Sequence, residues 1–247
     1  MSTIVSASNL YKFYGTGAQE ITVLRELSFS VEAGEFVCVM GPSGSGKSTL
    51  LHLVSGLDEP SAGSISLNGR ELESLGQYER TVLRRETIGY VFQFFNLLPN
   101  LTLLENVGLP LAIQGQKPAR QREFVTGLLE RFDLADRAHA FPPQLSAGQM
   151  QRASIARALA GGQPLLLCDE PTGNLSQKAG LEVMKALRDV CDQDGRTVLL
   201  VTHNPRDASF ADRVVFLVDG ELDDERTLTG PGLHVEQVHE ALAALHI

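Results

Sequence analysis
The stretch GPSGSGKST, Gly41–Thr49, most constrains how this chain can fold. It fits G-x-x-x-x-G-K-[ST], follows the apolar run EFVCVM and opens the helix-like segment KSTLLHLVSGL, so it requires a strand, a tight loop and a helix in that order. Gly41, Gly44 and Gly46 let backbone N–H groups turn inward around phosphate oxygens, while the start of the helix adds partial positive charge. Pro42, Ser43, Ser45 and Thr49 complete the loop. Lys47 is placed to reach the β- and γ-phosphates of a nucleotide, and the Ser48 hydroxyl to ligate Mg²⁺.

A second apolar run, LLLC (Leu165–Cys168), ends in two carboxylates, Asp169 and Glu170. By themselves these are equally solvated loop acids. Beside a phosphate loop they acquire distinct tasks: Asp169 to hold the metal, and Glu170, one residue further out, to polarise the attacking water as general base. RTVLLVTH places His203 at the end of another apolar strand, on the edge where ligands bind in an α/β sheet and within reach of a γ-phosphate.

Around these points the chain is β-rich at first. TIVSASNLYKFY and ITVLRELSFSVEAGEFVCVM read as strands punctuated by GTGA and EAGE, and GSISLNGRE as a hairpin. ERTVLRRE is a solvated helix face. From about Asn96 to Ala160 the apolar spacing is helical, as in RQREFVTGLLERFDLADRA. PLLLCDE, KAGLEVMKALRDVCDQDG, RTVLLVTH and RVVFLVDGEL then alternate strand and helix, which predicts a parallel α/β sheet with the helical block inserted. The tail HVEQVHEALAALHI reads as a short amphipathic helix.

Of the 247 residues 43% are hydrophobic, enough for a sizeable core, and no apolar segment approaches the ~18–20 residues of a spanning helix. MSTIVSASNLYKFYG lacks the basic-then-apolar layout of a signal peptide, so a membrane role is expected only through a partner. Cys38, Cys168 and Cys191 form no CxxC pair and fit a reducing cytoplasm. A net charge of −9 and a pI near 5.2 argue against a nucleic-acid footprint.

The motifs run in the order P-loop, YVFQ, LSAGQMQR, LLLCDEP and VTH, and over about residues 3–222 the sequence resembles the nucleotide-binding subunit of an ABC transporter. The resemblance implies an α/β P-loop NTPase of ABC type: a RecA-like core with an N-terminal antiparallel β-subdomain and an inserted α-helical subdomain. It places the core at 1–95 and 161–225, the helical signature subdomain at 96–160 and a tail at 226–247. Tyr14, otherwise a strand aromatic, corresponds to the residue that stacks on adenine. Gln93, otherwise a loop polar residue, corresponds to the glutamine that senses Mg²⁺ and water while joining the core to the helical insert. LSAGQ (Leu145–Gln149) resembles the signature usually written LSGGQ, whose counterparts of Ser146, Gly148 and Gln149 close over the γ-phosphate of an ATP held by a second subunit. A homodimer around two ATP molecules and Mg²⁺ follows.

Ala147 replaces the usual glycine and is tolerated if its φ is negative. Ser176 stands where the family typically has an aspartate at the dimer seam, which implies a site with weakened coupling between subunits. ETIGYVFQFFNLLPNLTLLENV together with DEPTGNL resembles the MacB/LolD/FtsE-like branch, which implies an ATPase peripheral on the inner face of the plasma membrane, driving a separate integral-membrane permease. The alternative is a nucleotide-gated interaction module with slow turnover that regulates a membrane partner.

Overall fold
The computed structural model describes residues 2–15, 20–230 and 232–245. Most of the GTGA turn and the last two residues of the tail lie outside the described residues.

Two sheets carry the chain. Strands β1 (Thr3–Tyr14), β2 (Ile21–Glu32), β4 (Ala62–Leu67) and β5 (Arg70–Glu71) form an antiparallel sheet in the order β2-β1-β4-β5. Its β4–β5 turn is Asn68–Gly69, both at positive φ, the hairpin chemistry that N-G supplies. The second sheet holds β3 (Phe36–Met40), β6 (Ile88–Val91), β7 (Leu165–Asp169), β8 (Thr197–Thr202), β9 (Arg213–Val218) and β10 (Glu221–Thr229), in the order β10-β9-β3-β8-β7-β6. All neighbours in it are parallel except the β9–β10 edge pair. RVVFLVDGEL is thus a strand, a turn and the start of a second strand, because Asp219 and Gly220 both take positive φ. β10 also runs through residue 226, where the tail was expected to begin.

The helices are α1 (Lys47–Val54), α2 (Gln77–Thr87), α3 (Leu103–Ile113), α4 (Pro118–Arg131), α5 (Ala147–Ala160), α6 (Gln177–Asp194), α7 (Pro205–Ala208) and α8 (Val235–Ala244). The central strands read as unbroken apolar runs because both faces of the sheet are covered. Phe36, Cys38 and Met40 of β3, Leu166 and Cys168 of β7, and Val198 and Leu200 of β8 face the core shared with α3–α6 and α8. The alternate residues Val37, Val39, Leu165, Leu167, Leu199 and Val201 face a second core, shared with α1 and the antiparallel sheet. All three cysteines are buried; burial pushes the thiols of Cys38 and Cys168 well above their usual range and that of Cys191 up to about 11. The parallel strands β3, β7 and β8 end together, which brings Met40, Asp169 and Thr202 to one edge.

Candidate active site
The loop from Gly41 to Gly46 leaves β3 and enters α1, and each of its three glycines has its own reason to be there. A Cβ on Gly41 would lie 2.1 Å from the Leu217 carbonyl oxygen, so the constraint is steric. Gly44 has open space where a Cβ would stand; its constraint is the backbone alone, at φ 86°. Gly46 carries both, with φ 104° and a would-be Cβ 2.7 Å from Leu24. Inside the loop the Lys47 side chain is buried, its Nζ donating to the carbonyls of Gly41 (2.9 Å) and Pro42 (2.8 Å). Burial lowers its pKa, a shift that the neighbouring Glu170 and Asp169 oppose. The Ser45 hydroxyl is buried with no hydrogen-bond partner, a polar atom that a bound oxygen would satisfy.

Ser48, one residue into α1, donates to Asp169 Oδ1 at 3.1 Å, joining the helix start to the end of β7. Burial raises the Asp169 pKa, Glu170 adds to the rise, and the Ser48 bond opposes it. Glu170 takes φ 45°, a left-handed backbone uncommon for a glutamate, and its N–H donates to the Val201 carbonyl. Both of its carboxylate oxygens are held from the end of β8: Thr202 Oγ1 donates to Oε2 at 3.1 Å, and His203 Nδ1 lies 2.8 Å from Oε1. An ionised carboxylate only accepts, so Nδ1 carries the proton in this contact, and the ring is exposed.

Tyr14 ends β1 beside the P-loop. Its hydroxyl donates to Asp58 Oδ2 at 2.7 Å, Lys12 Nζ lies 4.8 Å from its ring centroid, and burial leads the causes that raise its pKa. Gln93 follows β6 in a loop whose Phe95 and Asn96 also take positive φ. Its carboxamide rests on the loop that follows Glu170, where a Cβ on Gly173 would meet Nε2 at 2.9 Å, and Asn174 Nδ2 donates to the Gln93 carbonyl at 3.1 Å.

The structure therefore gathers Gly41–Thr49, Asp169, Glu170, His203 and Tyr14 around one loop, with Gln93 on the adjoining segment. Ser146 and Gln149 make no hydrogen bond to that loop. They form a capping box at the start of α5, Ser146 Oγ accepting from Gln149 N (3.3 Å) and Gln149 Oε1 accepting from Ser146 N (2.9 Å). Gly148 lies against Ala179, one turn into α6, where Ser176 is the N-cap accepting from Ala179 N at 3.4 Å. Ala147 has helical backbone, so alanine is unstrained there.

Three residues of this region lie outside the sequence reading. Thr202 anchors Glu170, and its place directly before His203 was the available signal. Asp207 on α7 bonds the Thr172 hydroxyl, and burial pushes its pKa up to about 6. Gln151, fully buried in α5, donates to two backbone carbonyls remote in sequence.

Comparison with known proteins places this arrangement. Residues 24–173 match the family model described as ABC transporter. An uncharacterized ABC transporter ATP-binding protein of Mycobacterium tuberculosis is 45% identical over 219 residues, 89% of this chain and 88% of its own length. The macrolide export ATP-binding/permease protein MacB of Rhodopseudomonas palustris is 46% identical over 225 residues, which are 91% of this chain but only 34% of MacB. Among solved structures, that of the Methanocaldococcus jannaschii ATP-binding cassette MJ0796, a dimer in a post-hydrolysis state bound to ADP and Pi, superposes with a TM-score of 0.83 at 41% identity, covering 91% of this chain and 98% of that one. With a P-loop, paired acids and a strand-end histidine on one sheet edge, and with these relatives along most of its length, the chain belongs to the ABC transporter family, as an ATP-binding cassette ATPase.

Proposed function
We propose that this chain hydrolyses ATP to ADP and phosphate with Mg²⁺, as a homodimer that drives a separate integral-membrane permease. The observation that carries this reading is the fixed carboxylate of Glu170, bonded at both oxygens by Thr202 and His203, one residue beyond the Ser48–Asp169 pair at the mouth of the P-loop. Glu170 takes the proton of the attacking water, whose oxygen bonds to the γ-phosphorus as the bond to the β-phosphate oxygen breaks. Lys47, the loop N–H groups from Ser43 and Gly44 onward, and Ser45 hold the phosphates; Thr49 and Tyr14 lie on the nucleotide side; His203 presents Nε2 toward the γ-phosphate.

Ser48 Oγ and Asp169 Oδ1 are hard oxygen donors that suit Mg²⁺, and Gln93 on the adjoining segment would add its carboxamide oxygen. Among the described residues no group of three or more His, Cys, Asp or Glu is placed to hold an ion, whereas Mg²⁺ needs only one or two protein ligands alongside phosphate and water. When bound, the ion would neutralise charge on the phosphates. The division into a core at 1–95 and 161–225, a helical signature subdomain at 96–160 and a tail at 226–247 is part of the same reading.

Ser146, Gly148 and Gln149 complete the site of the other subunit in the dimer. Two relatives support the assembly: the solved MJ0796 cassette is dimeric, and MacB, of which this chain spans a third, is an ATP-binding/permease protein. No helix among the described residues is long and apolar enough to cross a membrane, which accords with a position at the cytoplasmic face of the inner membrane, held by the permease. The reading as a gated module with slow turnover gains no support from these relatives. Purified chain is expected to release phosphate from ATP with Mg²⁺ and to stop in excess EDTA, and capture from native membranes is expected to retain an integral-membrane protein. Phosphate release that persists in EDTA would remove the metal assignment.

At the seam, Ser176→Asp is expected to raise kcat with little change in ATP affinity. An aspartate caps α6 as serine does and adds an acid to a first turn that has none, so the fold tolerates it. A charge-assisted hydrogen bond is worth about 1.5–3 kcal/mol, which bounds the gain at roughly ten- to a hundred-fold. Steady-state kinetics of the variant check this, and an unchanged or lower kcat would show a seam adapted to serine.

A further inference from the structure
We infer that Gln151 is a positioning residue for hydrolysis: its buried carboxamide fastens the helix that begins at Ser146 to the backbone beside Gln93 and beside Glu170. Gln151 lies in the second turn of α5 and is 0% exposed. Its Nε2 donates to the Phe92 carbonyl at 3.2 Å and to the Pro171 carbonyl at 2.8 Å, and its Oε1 accepts from Ser154 Oγ at 3.1 Å. Phe92 immediately precedes Gln93, and Pro171 immediately follows Glu170. Both donor hydrogens are therefore spent on the two segments that carry the proposed water-handling side chains; the two carbonyls fix which end of the amide is nitrogen, and the Ser154 hydroxyl, shared with the Gln151 carbonyl at 2.9 Å, supports the oxygen end.

No other side chain does this at this length. A glutamate would set a carboxylate oxygen against two carbonyls, and methionine has the size with no donor. The joint is reinforced further along the same helix, where Arg157 donates to the carbonyls of Phe95 (2.9 Å) and Asn96 (2.5 Å), and between the two loops by the Asn174–Gln93 bond. The start of α5, the Gln93 loop and the turn after Glu170 thus form one hydrogen-bonded unit. A shift of the Ser146 end, such as engagement of a second subunit would impose, reaches Gln93 and Glu170 together. The inference rests on the catalytic reading of those two residues given above.

The test compares the full-length chain with Gln151→Met, measuring ATP affinity by titration calorimetry and kcat by phosphate release, each normalised to the folded, ATP-binding fraction. Mispositioning of a reacting group is expected to lower kcat about tenfold or more while the ATP Kd stays within about twofold. Because Gln151 acts in part through Gln93, the double variant with Gln93→Ala is expected to lose less than the product of the two single losses. A kcat within about twofold of wild type, or fully multiplicative losses, overturns the inference. Should Gln151→Met fail to fold, Ser154→Ala decides: it removes the bond to the amide oxygen together with the same hydroxyl's bond to the Gln151 carbonyl one turn back in the helix, and a lowered kcat at unchanged Kd supports the proposal while an unchanged kcat overturns it. Glu170→Gln run in parallel separates the two levels. If that variant turns over normally, the catalytic reading fails and this inference with it; if it is inactive while Gln151→Met is not, only this inference fails.

Discussion
Lys47→Ala is expected to lose ATP binding and, with it, all measurable turnover. In the structure the ammonium is already inside the loop, donating to the carbonyls of Gly41 and Pro42 while burial lowers its pKa. A phosphate offers it a stronger acceptor than either carbonyl, because hydrogen bonds between ionised groups are roughly twice as strong as neutral ones. Two such bonds at about 1.5–3 kcal/mol each would weaken binding on the order of a hundredfold or more. The fold should survive, since the freed carbonyls belong to a loop at the mouth of the site and α1 keeps its buried Leu50, Leu51, Leu53 and Val54. Titration calorimetry with Mg·ATP, together with a thermal melt, checks both halves. Wild-type affinity in a folded variant would overturn the P-loop assignment.

Glu170→Gln is expected to leave Mg·ATP binding intact and lower kcat by about 10²–10⁴, the usual worth of a general base. The amide keeps the geometry. Its oxygen still accepts from Thr202, and its N–H₂ bonds His203 Nδ1 once that ring takes the other tautomer, so the two anchors of the side chain persist. What disappears is the capacity to take a proton. A phosphate-release assay beside an ATP-binding isotherm separates the two effects, and a variant with wild-type kcat would remove Glu170 from the role of base.

How far such expectations could be read from the sequence depended on whether the determinants are contiguous. The P-loop is nine consecutive residues whose partners are largely one another, and the central strands announce themselves because a sheet covered on both faces permits no polar alternation. The acids and the histidine were legible as the ends of such strands. The β9–β10 hairpin was written in the D-G of Asp219–Gly220, a turn signal hidden inside a run that reads as one strand. Gln151 had no such signal: its two acceptors are main-chain carbonyls 59 and 20 residues away, and a backbone carbonyl leaves no mark in the residue that carries it. The same holds for the left-handed backbone of Glu170, which its residue type does not announce. Asp58, which holds both Lys12 and the Tyr14 hydroxyl, likewise meets them only through the fold.

Two copies of this chain are expected to close around ATP and to open when it is hydrolysed. Ser146 and Gln149 bond each other and Gly148 lies against α6 in the single chain, with no hydrogen bond from the pair to its own P-loop; in the proposed dimer they meet the phosphate held by the second copy. Size-exclusion chromatography with light scattering on Glu170→Gln, with and without Mg·ATP, tests this most directly. The expected mass is twice the 26.8 kDa of one chain with ATP and that of the single chain without it. A variant that binds ATP and still elutes only as a monomer would contradict it.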